Sequence, residues 1–265
     1  NAYRQRNSCA AVLSIVRFEL PDPKKMHIPE IVCDLANQKK GMILVTGPAG
    51  SGKSTTLACI IDQINQKRNT HIITIEDPIE YLHSHNKSIV SQREVFHDTK
   101  NYVAALKAAL REAPEVILVG EMRDLETIDI AITAAETGHL IFSSLHTVGA
   151  ANTIDRMIDV FPASQQQQIR VQLAMVLNAV ICQQLLPGVD GKMIPAFEIM
   201  ICNQAIRTLI RDGKTHQIDS TISNSRQLGM ITMDEAIIEL YKQGKISKET
   251  ALMYATNPKI VERRL

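Results

Sequence analysis

Short apolar runs alternate with stretches of helical periodicity along most of the chain. Runs of strand length occupy residues 42–45, 71–75, 116–119 and 140–142, and apolar residues recur at helical spacing in the segments between them. This alternation is typical of a parallel sheet covered by helices on both faces. The pattern therefore predicts an α/β fold with a largely parallel sheet.

Capping and helix-breaking residues mark the ends of several predicted helices. The first of these helices is expected over residues 29–38. Asp98 is predicted to cap a helix that Pro114 ends, and Asp124 is predicted to cap the next helix, which Gly138 closes. These signals place helices between the strand candidates, as an α/β fold requires.

From residue 164 onward the pattern is mainly helical. A long amphipathic helix is predicted from about Ser164, with one apolar stripe formed by Ile169, Leu173, Val176, Leu177, Val180 and Ile181. After a turn at 187–191, one more strand is expected over 193–199. Residues 203–265 carry no further strand candidate, so we expect a helical C-terminal domain there.

The first 25 residues do not fit the start of an α/β domain. Apolar positions over residues 9–18 fit a strand, and residues 19–25 then interrupt the pattern with prolines and charges. We expect residues 1–25 to be the last strand of an N-terminal domain and a linker. The α/β domain itself is predicted at 26–202.

Composition excludes several classes of protein. The 265 residues include 29 Lys and Arg against 28 Asp and Glu, so the net charge of +1 gives no sign of a nucleic-acid partner. Five scattered cysteines without a C-x-x-C pair indicate reduced packing residues and no zinc site. No signal peptide is visible, and no apolar run reaches the roughly 18 residues that span a bilayer. We therefore expect a cytoplasmic protein without direct membrane insertion.

One loop carries a specific chemical signature. Residues 47–54 fit the P-loop pattern G-x-x-x-x-G-K-[ST] at every fixed position, between a strand and a helix. In this geometry backbone N–H groups surround the phosphates, Lys53 reaches the terminal phosphates, and Ser54 offers its hydroxyl to Mg²⁺. The pattern predicts a site for ATP and Mg²⁺ formed by Gly47, Pro48, Ala49, Gly50, Ser51, Gly52, Lys53, Ser54 and Thr55.

Polar residues follow three of the predicted strands. Glu76, Glu121 and His146 come directly after apolar runs, and the carboxyl ends of parallel strands meet at one edge of a sheet. We expect all three beside the P-loop. Glu121 would hold Mg²⁺ or its water shell, and Glu76 would orient or deprotonate the attacking water. The residues alone leave these two roles interchangeable.

Taken together, these motifs resemble those of the secretion ATPase superfamily, and closely those of the type IV pilus retraction ATPases of the PilT family. The resemblance runs from the start of the chain to its C-terminal tail. It rests on a Walker A box at 47–54, an Asp box at 73–81, a Walker B box at 117–124, a His box at 137–139 and 145–147, and a retraction-type block at 205–211.

The resemblance implies a RecA-like P-loop ATPase core and a PAS-like domain to which residues 1–25 would belong. It implies a homo-hexamer that hydrolyses ATP, transmits domain closure to an inner-membrane pilus platform protein and depolymerises pilin, which drives twitching motility. A related accessory ATPase is a further partner of such a motor. The chain would then be cytoplasmic and reach the membrane through the pilus machine.

The resemblance also adds residues that spacing alone does not single out. His139 and His146 of the His box would sense the γ-phosphate or transmit closure between subunits. In the retraction-type block, Ala205, Ile206, Arg207 and Leu209 would couple hydrolysis to retraction. The helical spacing of that block by itself favours an ordinary amphipathic helix.

A RecA-like ring needs an arginine that a neighbouring subunit delivers to the transition state. Arg111 and Arg123 lie close to the acidic boxes and are the candidates for this catalytic role. Arg4, Arg6 and Arg17 are alternatives in the N-terminal remnant.

Three other functions use similar motifs. A pilus extension or type II secretion ATPase would have the same boxes, but that branch commonly carries a tetracysteine zinc insert. A nucleic-acid motor would need a basic, aromatic surface, which five Phe, five Tyr and no Trp do not favour. An accessory retraction ATPase would turn over little ATP itself.

Overall fold

Two antiparallel strands at the start of the chain form a separate hairpin. The computed structural model describes residues 2–13 and 19–265. In it, β1 (Ala2–Gln5) pairs with β2 (Ser8–Ala11). The strand predicted over residues 9–18 overlaps β2 at residues 9–11 only: residues 12 and 13 are not in a strand, and residues 14–18 lie outside the described ranges.

The other strands of the described ranges form one seven-stranded sheet. They are β3 (Gly41–Thr46), β4 (His71–Glu76), β5 (Ile89–Glu94), β6 (Val116–Val119), β7 (Leu140–Leu145), β8 (Leu177–Pro187) and β9 (Met193–Ile201). Their order is β5-β4-β6-β7-β3-β8-β9, and every neighbouring pair is parallel except β8 with β9. The predicted α/β class with a largely parallel sheet is confirmed.

Helices cover both faces of this sheet, and more helices follow β9. The α-helices of the described ranges are α1 (Glu30–Cys33), α2 (Lys53–Lys67), α3 (Tyr102–Ala109), α4 (Leu125–Glu136), α5 (Ala150–Asp159), α6 (Ala163–Val176), α7 (Gln204–Arg211), α8 (Ile218–Ser223), α9 (Met233–Lys242), α10 (Lys248–Tyr254) and α11 (Pro258–Glu262). Helices α1 and α2 pack on one face, and α3 to α6 pack on the other. In the described part of the chain, no helix combines the length and apolar character needed to cross a membrane.

The long helix predicted from Ser164 is shorter than expected. Helix α6 ends at Val176, and residues 177–187 form strand β8. Strand β8 lies between β3 and β9, where both of its faces are covered, so Leu177, Val180 and Ile181 are fully buried. A run buried on both faces is apolar at nearly every position and does not reveal the twofold period of a strand.

Two helix caps illustrate how local signals compete. Asp124 accepts a hydrogen bond from the Thr127 backbone N–H at 2.9 Å and caps α4, as predicted. The predicted cap at Asp98 is wrong, because Asn101 caps α3. Asp98 instead accepts a hydrogen bond from the backbone N–H of Glu94 and closes the turn after β5.

The segment after β9 is helical, as the pattern predicts. Most of its buried apolar residues belong to the same core cluster as the helices of the α/β part; Ile206 and Ile237, for example, share that cluster with Ile154 and Leu173. The division into domains at 1–25, 26–202 and 203–265 stays a prediction.

Candidate active site

The P-loop connects the carboxyl end of β3 with the first turn of α2. Gly47, Gly50 and Gly52 have φ angles of 140°, 76° and 89°, which side chains with a Cβ rarely adopt. A Cβ on Gly47 would lie 2.1 Å from the backbone oxygen of Gln183, whereas a Cβ on Gly50 would meet nothing within 4 Å. Glycine is therefore required at Gly47 for close packing on β8 and at Gly50 for backbone conformation.

Lys53 places a buried positive charge inside this loop. Its side chain folds back, so that Nζ donates to the backbone oxygens of Gly47 and Pro48, both at 2.9 Å. Burial lowers the pKa of Lys53, and the carboxylates of Glu121 and Glu80 oppose this shift. An ammonium group held at the start of a 15-residue helix favours an anion at this position.

The loop fits a phosphate group. Besides the Lys53 ammonium, the Ser51 hydroxyl oxygen is buried and has no hydrogen-bond partner among the described residues. Backbone N–H groups at a helix N-terminus, a buried cation and an unpaired hydroxyl are the usual donors for a phosphate. The groups that the loop presents are therefore compatible with a bound phosphate.

A cleft of about 300 Å³ opens between the P-loop and the carboxyl ends of β4, β6 and β7. It brings together the side chains of Lys53, Ser54, Glu76, Glu121, Arg123 and His146, all of them predicted site residues. Ala49 and Gly50 line the same cleft. The strand ends thus meet beside the P-loop, as the parallel sheet predicts.

Glu76 is the last residue of β4, and two side chains hold its carboxylate. Thr74 Oγ1 donates to Glu76 Oε1 at 2.6 Å, and Gln92 Nε2 donates to the same oxygen at 3.1 Å. Burial raises the pKa of Glu76, and these two hydrogen bonds partly oppose the shift. A carboxylate with a raised pKa accepts a proton more readily near neutral pH, which suits a general base.

Gln92 of β5 is a site residue that the sequence did not reveal. Its Nε2 also donates to the Tyr81 backbone oxygen at 3.0 Å, and its Oε1 accepts from the His83 backbone N–H at 2.8 Å. Gln92 thereby joins Glu76 to the loop after β4. Strand β5 lies at the edge of the sheet and is largely polar, so it has no apolar run that would mark it.

Glu121 lies among three cationic or ionisable groups. Its Oε1 lies 3.2 Å from His146 Nε2 and accepts a hydrogen bond from Arg123 Nε. The other ring nitrogen of His146, Nδ1, lies 3.4 Å from Lys53 Nζ. Arg123 keeps 74% of its side chain exposed, so it stands at the rim of the cleft. His146 therefore connects the P-loop lysine with the Walker B carboxylate.

Ser54 contacts an acid that was not singled out in the sequence. Its hydroxyl donates to Glu80 Oε1 at 2.8 Å. The neighbouring Thr55 hydroxyl forms a hydrogen bond of 2.8 Å with the Tyr81 hydroxyl. Hydroxyl and carboxylate oxygens are the ligands that Mg²⁺ prefers, so Glu80 joins Glu121 as an oxygen donor facing the cleft.

The structure does not bring His139 or Arg111 to the cleft. His139 precedes β7 and lies against the C-terminal turn of α4, with Nδ1 3.0 Å from the Ala134 oxygen. His146 follows the same six-residue strand, so the two histidines lie about 20 Å apart, at the amino and carboxyl ends of β7. Arg111 is exposed in the turn after α3 and does not line the cleft.

The alternative arginines lie in the N-terminal part. Arg4 belongs to β1, and Arg6 belongs to the turn that follows it, where both are exposed. Arg17 lies outside the described residues. Neither Arg4 nor Arg6 lines the cleft in this chain, so a role for these two would require a neighbouring subunit.

Gln183 of β8 supports the P-loop from below. Its Oε1 accepts a hydrogen bond of 2.7 Å from Thr56 Oγ1 in α2. Its backbone oxygen sets the close approach to Gly47 described above. The sequence does not indicate this role, because its apolar stripe predicts a helix through Ile181 and gives no sign of the strand that contains Gln183.

A second, mostly apolar cavity of about 790 Å³ adjoins the other side of the P-loop. Gly52, Thr55 and Thr56 line it from the start of α2, while residues 25–29 and the β8–β9 hairpin form its walls. An apolar cavity beside a phosphate site is suited to the base and sugar of a nucleotide.

The retraction-type block forms most of α7. Ile206 and Ile210 are fully buried, and Leu209 is partly buried against the same cluster. Arg207 Nη1 donates to the backbone oxygens of Ala174 and Met175 in the last turn of α6. Ala205, the remaining predicted member, is exposed. The block packs on α6 and takes no part in lining the cleft.

The largely parallel sheet and the P-loop at its carboxyl edge, facing two strand-end glutamates, define a P-loop ATPase with a RecA-like core. Residues 6–263 match the family of Type II/IV secretion system proteins. The chain belongs to this family, within its PilT-type branch.

Several known proteins are similar over almost the whole chain. The "Twitching motility protein" of Neisseria gonorrhoeae is 48% identical over 97% of this chain and 69% of that protein. The type IV pilus retraction ATPase PilT of Pseudomonas aeruginosa is 46% identical over 97% of this chain and 75% of its own length. These likenesses confirm the resemblance to PilT-family secretion ATPases.

Solved structures agree with this placement. A crystal structure of the pilus retraction motor PilT with bound ADP has a TM-score of 0.93 and 51% identity, and the match covers 99% of this chain and 75% of that one. The ATPase DotB of Legionella pneumophila has a TM-score of 0.84 and 28% identity, over 95% and 70% of the two chains. Nucleotide binding and ATP hydrolysis by a RecA-like P-loop fold follow from these comparisons.

Proposed function

We propose that this chain is the ATP-hydrolysing motor of type IV pilus retraction and that it acts as a homo-hexamer. The observation that carries the proposal is the cleft in which Lys53, Glu76, Glu121 and His146 meet. The proposal is also supported by the close similarity of this chain to proteins named for pilus retraction and twitching motility.

The residues of the cleft divide the work on ATP. The P-loop would surround the β- and γ-phosphates, with Lys53 as the buried cation, and the apolar cavity beside Thr55 would take the nucleoside. Ser54 and Glu121 would hold Mg²⁺, in part through water, with Glu80 close to Ser54. Bound Mg²⁺ would neutralise charge on the phosphates.

Glu76 would orient or deprotonate the attacking water. Thr74 and Gln92 hold its carboxylate at the end of β4, and its raised pKa favours proton transfer. Glu121 would act on the metal side, where His146 and Arg123 surround it. His146 contacts both Lys53 and Glu121, which suits a residue that responds to the γ-phosphate.

Neighbouring subunits would complete the site. Arg123 is exposed at the rim, so it could turn toward a phosphate in its own cleft or across an interface. His139 and Arg111 lie away from the cleft of this chain and are proposed to act at subunit contacts. The hexamer would act from the cytoplasm on an inner-membrane platform protein, with α7 as the coupling element and a related accessory ATPase beside it.

The first test measures ATP hydrolysis. Lys53→Ala removes the buried cation of the P-loop, and we expect turnover to fall by at least about a hundredfold. Lys67→Ala is the matched control, since Lys67 is exposed at the far end of the same helix and should leave turnover unchanged. Hydrolysis that does not depend on Lys53 would contradict the assignment.

The second test separates retraction from its alternatives. A strain whose only copy carries Lys53→Ala should show excess surface pili that do not retract and should lose twitching. Loss of pili would instead identify an extension or secretion ATPase. Normal retraction would identify an accessory ATPase whose partner does the work.

A further inference from the structure

One buried carboxylate outside the cleft joins two helices. Glu198 of β9 keeps only 5% of its surface exposed. Its Oε1 accepts a hydrogen bond of 2.7 Å from the Ala150 backbone N–H, and its Oε2 accepts one of 3.2 Å from the Met233 backbone N–H. Ala150 and Met233 are the first residues of α5 and α9. A single side chain thus binds the N-termini of two ten-residue helices.

The charge of Glu198 suits this position. Helix N-termini carry partial positive charge and unpaired N–H groups, so a carboxylate satisfies both. Burial raises the pKa of Glu198, and the two backbone hydrogen bonds oppose that shift. Removing the carboxylate would leave buried donors without partners, which destabilises the local structure.

Helix α5 leads from Glu198 to the cleft. Its Thr153 hydroxyl lies 2.7 Å from the Thr147 hydroxyl and donates to the Gly149 backbone oxygen at 2.8 Å. Either hydroxyl can donate the bond between Thr147 and Thr153, and Thr153 Oγ1 also lies 3.5 Å from Thr46 Oγ1 at the end of β3. Thr147 follows His146, which contacts both Lys53 and Glu121.

Helix α9 leads from Glu198 in the other direction. Met233 and Ile237 of α9 are buried in the core cluster. Asp234, which follows Met233, accepts hydrogen bonds from the backbone N–H groups of Thr256 and Asn257, just before α11. A movement of the C-terminal helices would therefore shift the Met233 N–H that Glu198 Oε2 accepts from.

We propose that Glu198 is a positioning residue that couples the His146 side of the cleft to the helical segment after β9. When a bound nucleotide restricts His146, the Thr147–Thr153 hydrogen bond restricts α5. The Ala150 N–H of α5 then orients the Glu198 carboxylate, whose other oxygen positions the first residue of α9. The consequence for turnover rests on the proposed function, whereas the coupling requires only nucleotide binding.

Hydrogen–deuterium exchange with and without a non-hydrolysable ATP analogue and Mg²⁺ tests the coupling directly. In the wild type, the analogue should slow exchange in residues 145–150 and also in residues 233–242, because it carries the γ-phosphate to which His146 is proposed to respond. Glu198→Gln has nearly the same shape but offers one acceptor to two N–H donors, and its own amide group faces one of them. We expect it to keep the first response and to reduce the second by about 2- to 30-fold.

A second variant tests the path on the cleft side. Thr153→Val preserves shape, touches neither Glu198 hydrogen bond and removes the contact with Thr147, together with the Thr153 hydroxyl's bonds to the Gly149 oxygen and Thr46 Oγ1. It should reduce the exchange response of α9 as Glu198→Gln does. If both residues lie on one path, the double variant should reduce this response no further than either single variant does. It also serves if Glu198→Gln fails to fold.

The matched control is Asn65→Ala. Asn65 is also a buried side chain, and it joins α2 to the loop after β4 through hydrogen bonds of 2.7 Å to the Ser84 oxygen and 3.1 Å from the Asn86 N–H. It lies near the C-terminal end of α2, at the opposite edge of the sheet from the cleft. This variant should lose stability but keep both exchange responses.

Kinetics provide an independent readout. In both coupling variants kcat should fall while KM and ADP affinity stay near wild-type values, because the nucleotide contacts remain. An α9 response that is absent in the wild type, or unchanged in Glu198→Gln and Thr153→Val, would overturn the inference. A wild type that shows both exchange responses but no Lys53-dependent hydrolysis would contradict the proposed function and support the coupling.

Discussion

At the residue scale, Glu76 shows how a strand end prepares a carboxylate for chemistry. Thr74 and Gln92 fix one carboxylate oxygen, and the surrounding protein excludes most water from it. Burial raises the pKa above the ordinary value of 4.5, and the nearby carboxylates of Glu80 and Glu94 add to the shift. A partly buried acid of this kind costs stability when it ionises and gains the capacity to accept a proton.

This environment predicts a pH dependence for stability. Because the pKa is higher in the folded than in the unfolded state, the stabilising contribution of Glu76 is present below 4.5 and is lost as pH rises through the folded-state pKa. The melting temperature of the wild type relative to Glu76→Gln should therefore fall with rising pH across that window. Melting curves of both proteins over a pH series measure this difference. A difference that stays constant would show that Glu76 is not held as described.

At the element scale, α7 is anchored to α6 by one arginine. Arg207 donates to two carbonyl oxygens in the last turn of α6, where the helix dipole favours a positive charge. Ile206 and Ile210 seat the other face of α7 in the core. The coupling block is therefore both a structural contact and the proposed link to retraction, and mutations can separate these two roles.

Arg207→Ala should cost about 1 to 2 kcal/mol in the free energy of unfolding, because two charge-assisted hydrogen bonds are lost. ATP turnover should stay nearly intact, since α7 does not line the cleft, while retraction should stop. Leu209→Ala should have the same effect on retraction. Denaturant unfolding, ATPase assays and twitching measure the three quantities.

Arg211→Ala is the matched control on the same helix. Arg211 is half-exposed and pairs only with its neighbour Asp212 among the described residues, so the expected cost is at most about 0.5 kcal/mol. If Arg207→Ala abolished ATP turnover together with retraction, the block would be merely structural.

At the scale of the whole molecule, one hydrophobic cluster crosses the predicted boundary at residue 203. Buried residues of the C-terminal helices pack against α5 and α6, and Glu198 adds a polar contact to α9. The residues that the C-terminal segment contributes to this cluster are Ile206, Ile210, Ile218, Ile222, Met230, Met233, Ile237, Ile246 and Ala251. Shared burial on this scale favours one cooperative unit.

We therefore expect a fragment ending at residue 202 to be aggregated or molten. Without the C-terminal helices, the face of α5 that packs against them would be exposed, and one oxygen of Glu198 would lose its N–H partner. Size-exclusion chromatography and thermal melting, compared with the full chain, measure the outcome. A monomeric fragment with a cooperative melt would show that the chain folds without residues 203–265 and would support the predicted boundary.

Local pattern and motif determined the alternation of strands and helices, the P-loop and the meeting of Glu76, Glu121 and His146 at one sheet edge. These follow from the sequence because a parallel sheet brings the ends of its strands together whatever their separation along the chain. Strand order, the identity of residues 177–187 as a strand and the roles of Gln92, Gln183 and Glu198 were decided only by the tertiary structure. A fully buried run loses its periodicity, and a polar side chain acquires its role from neighbours that lie far away in sequence.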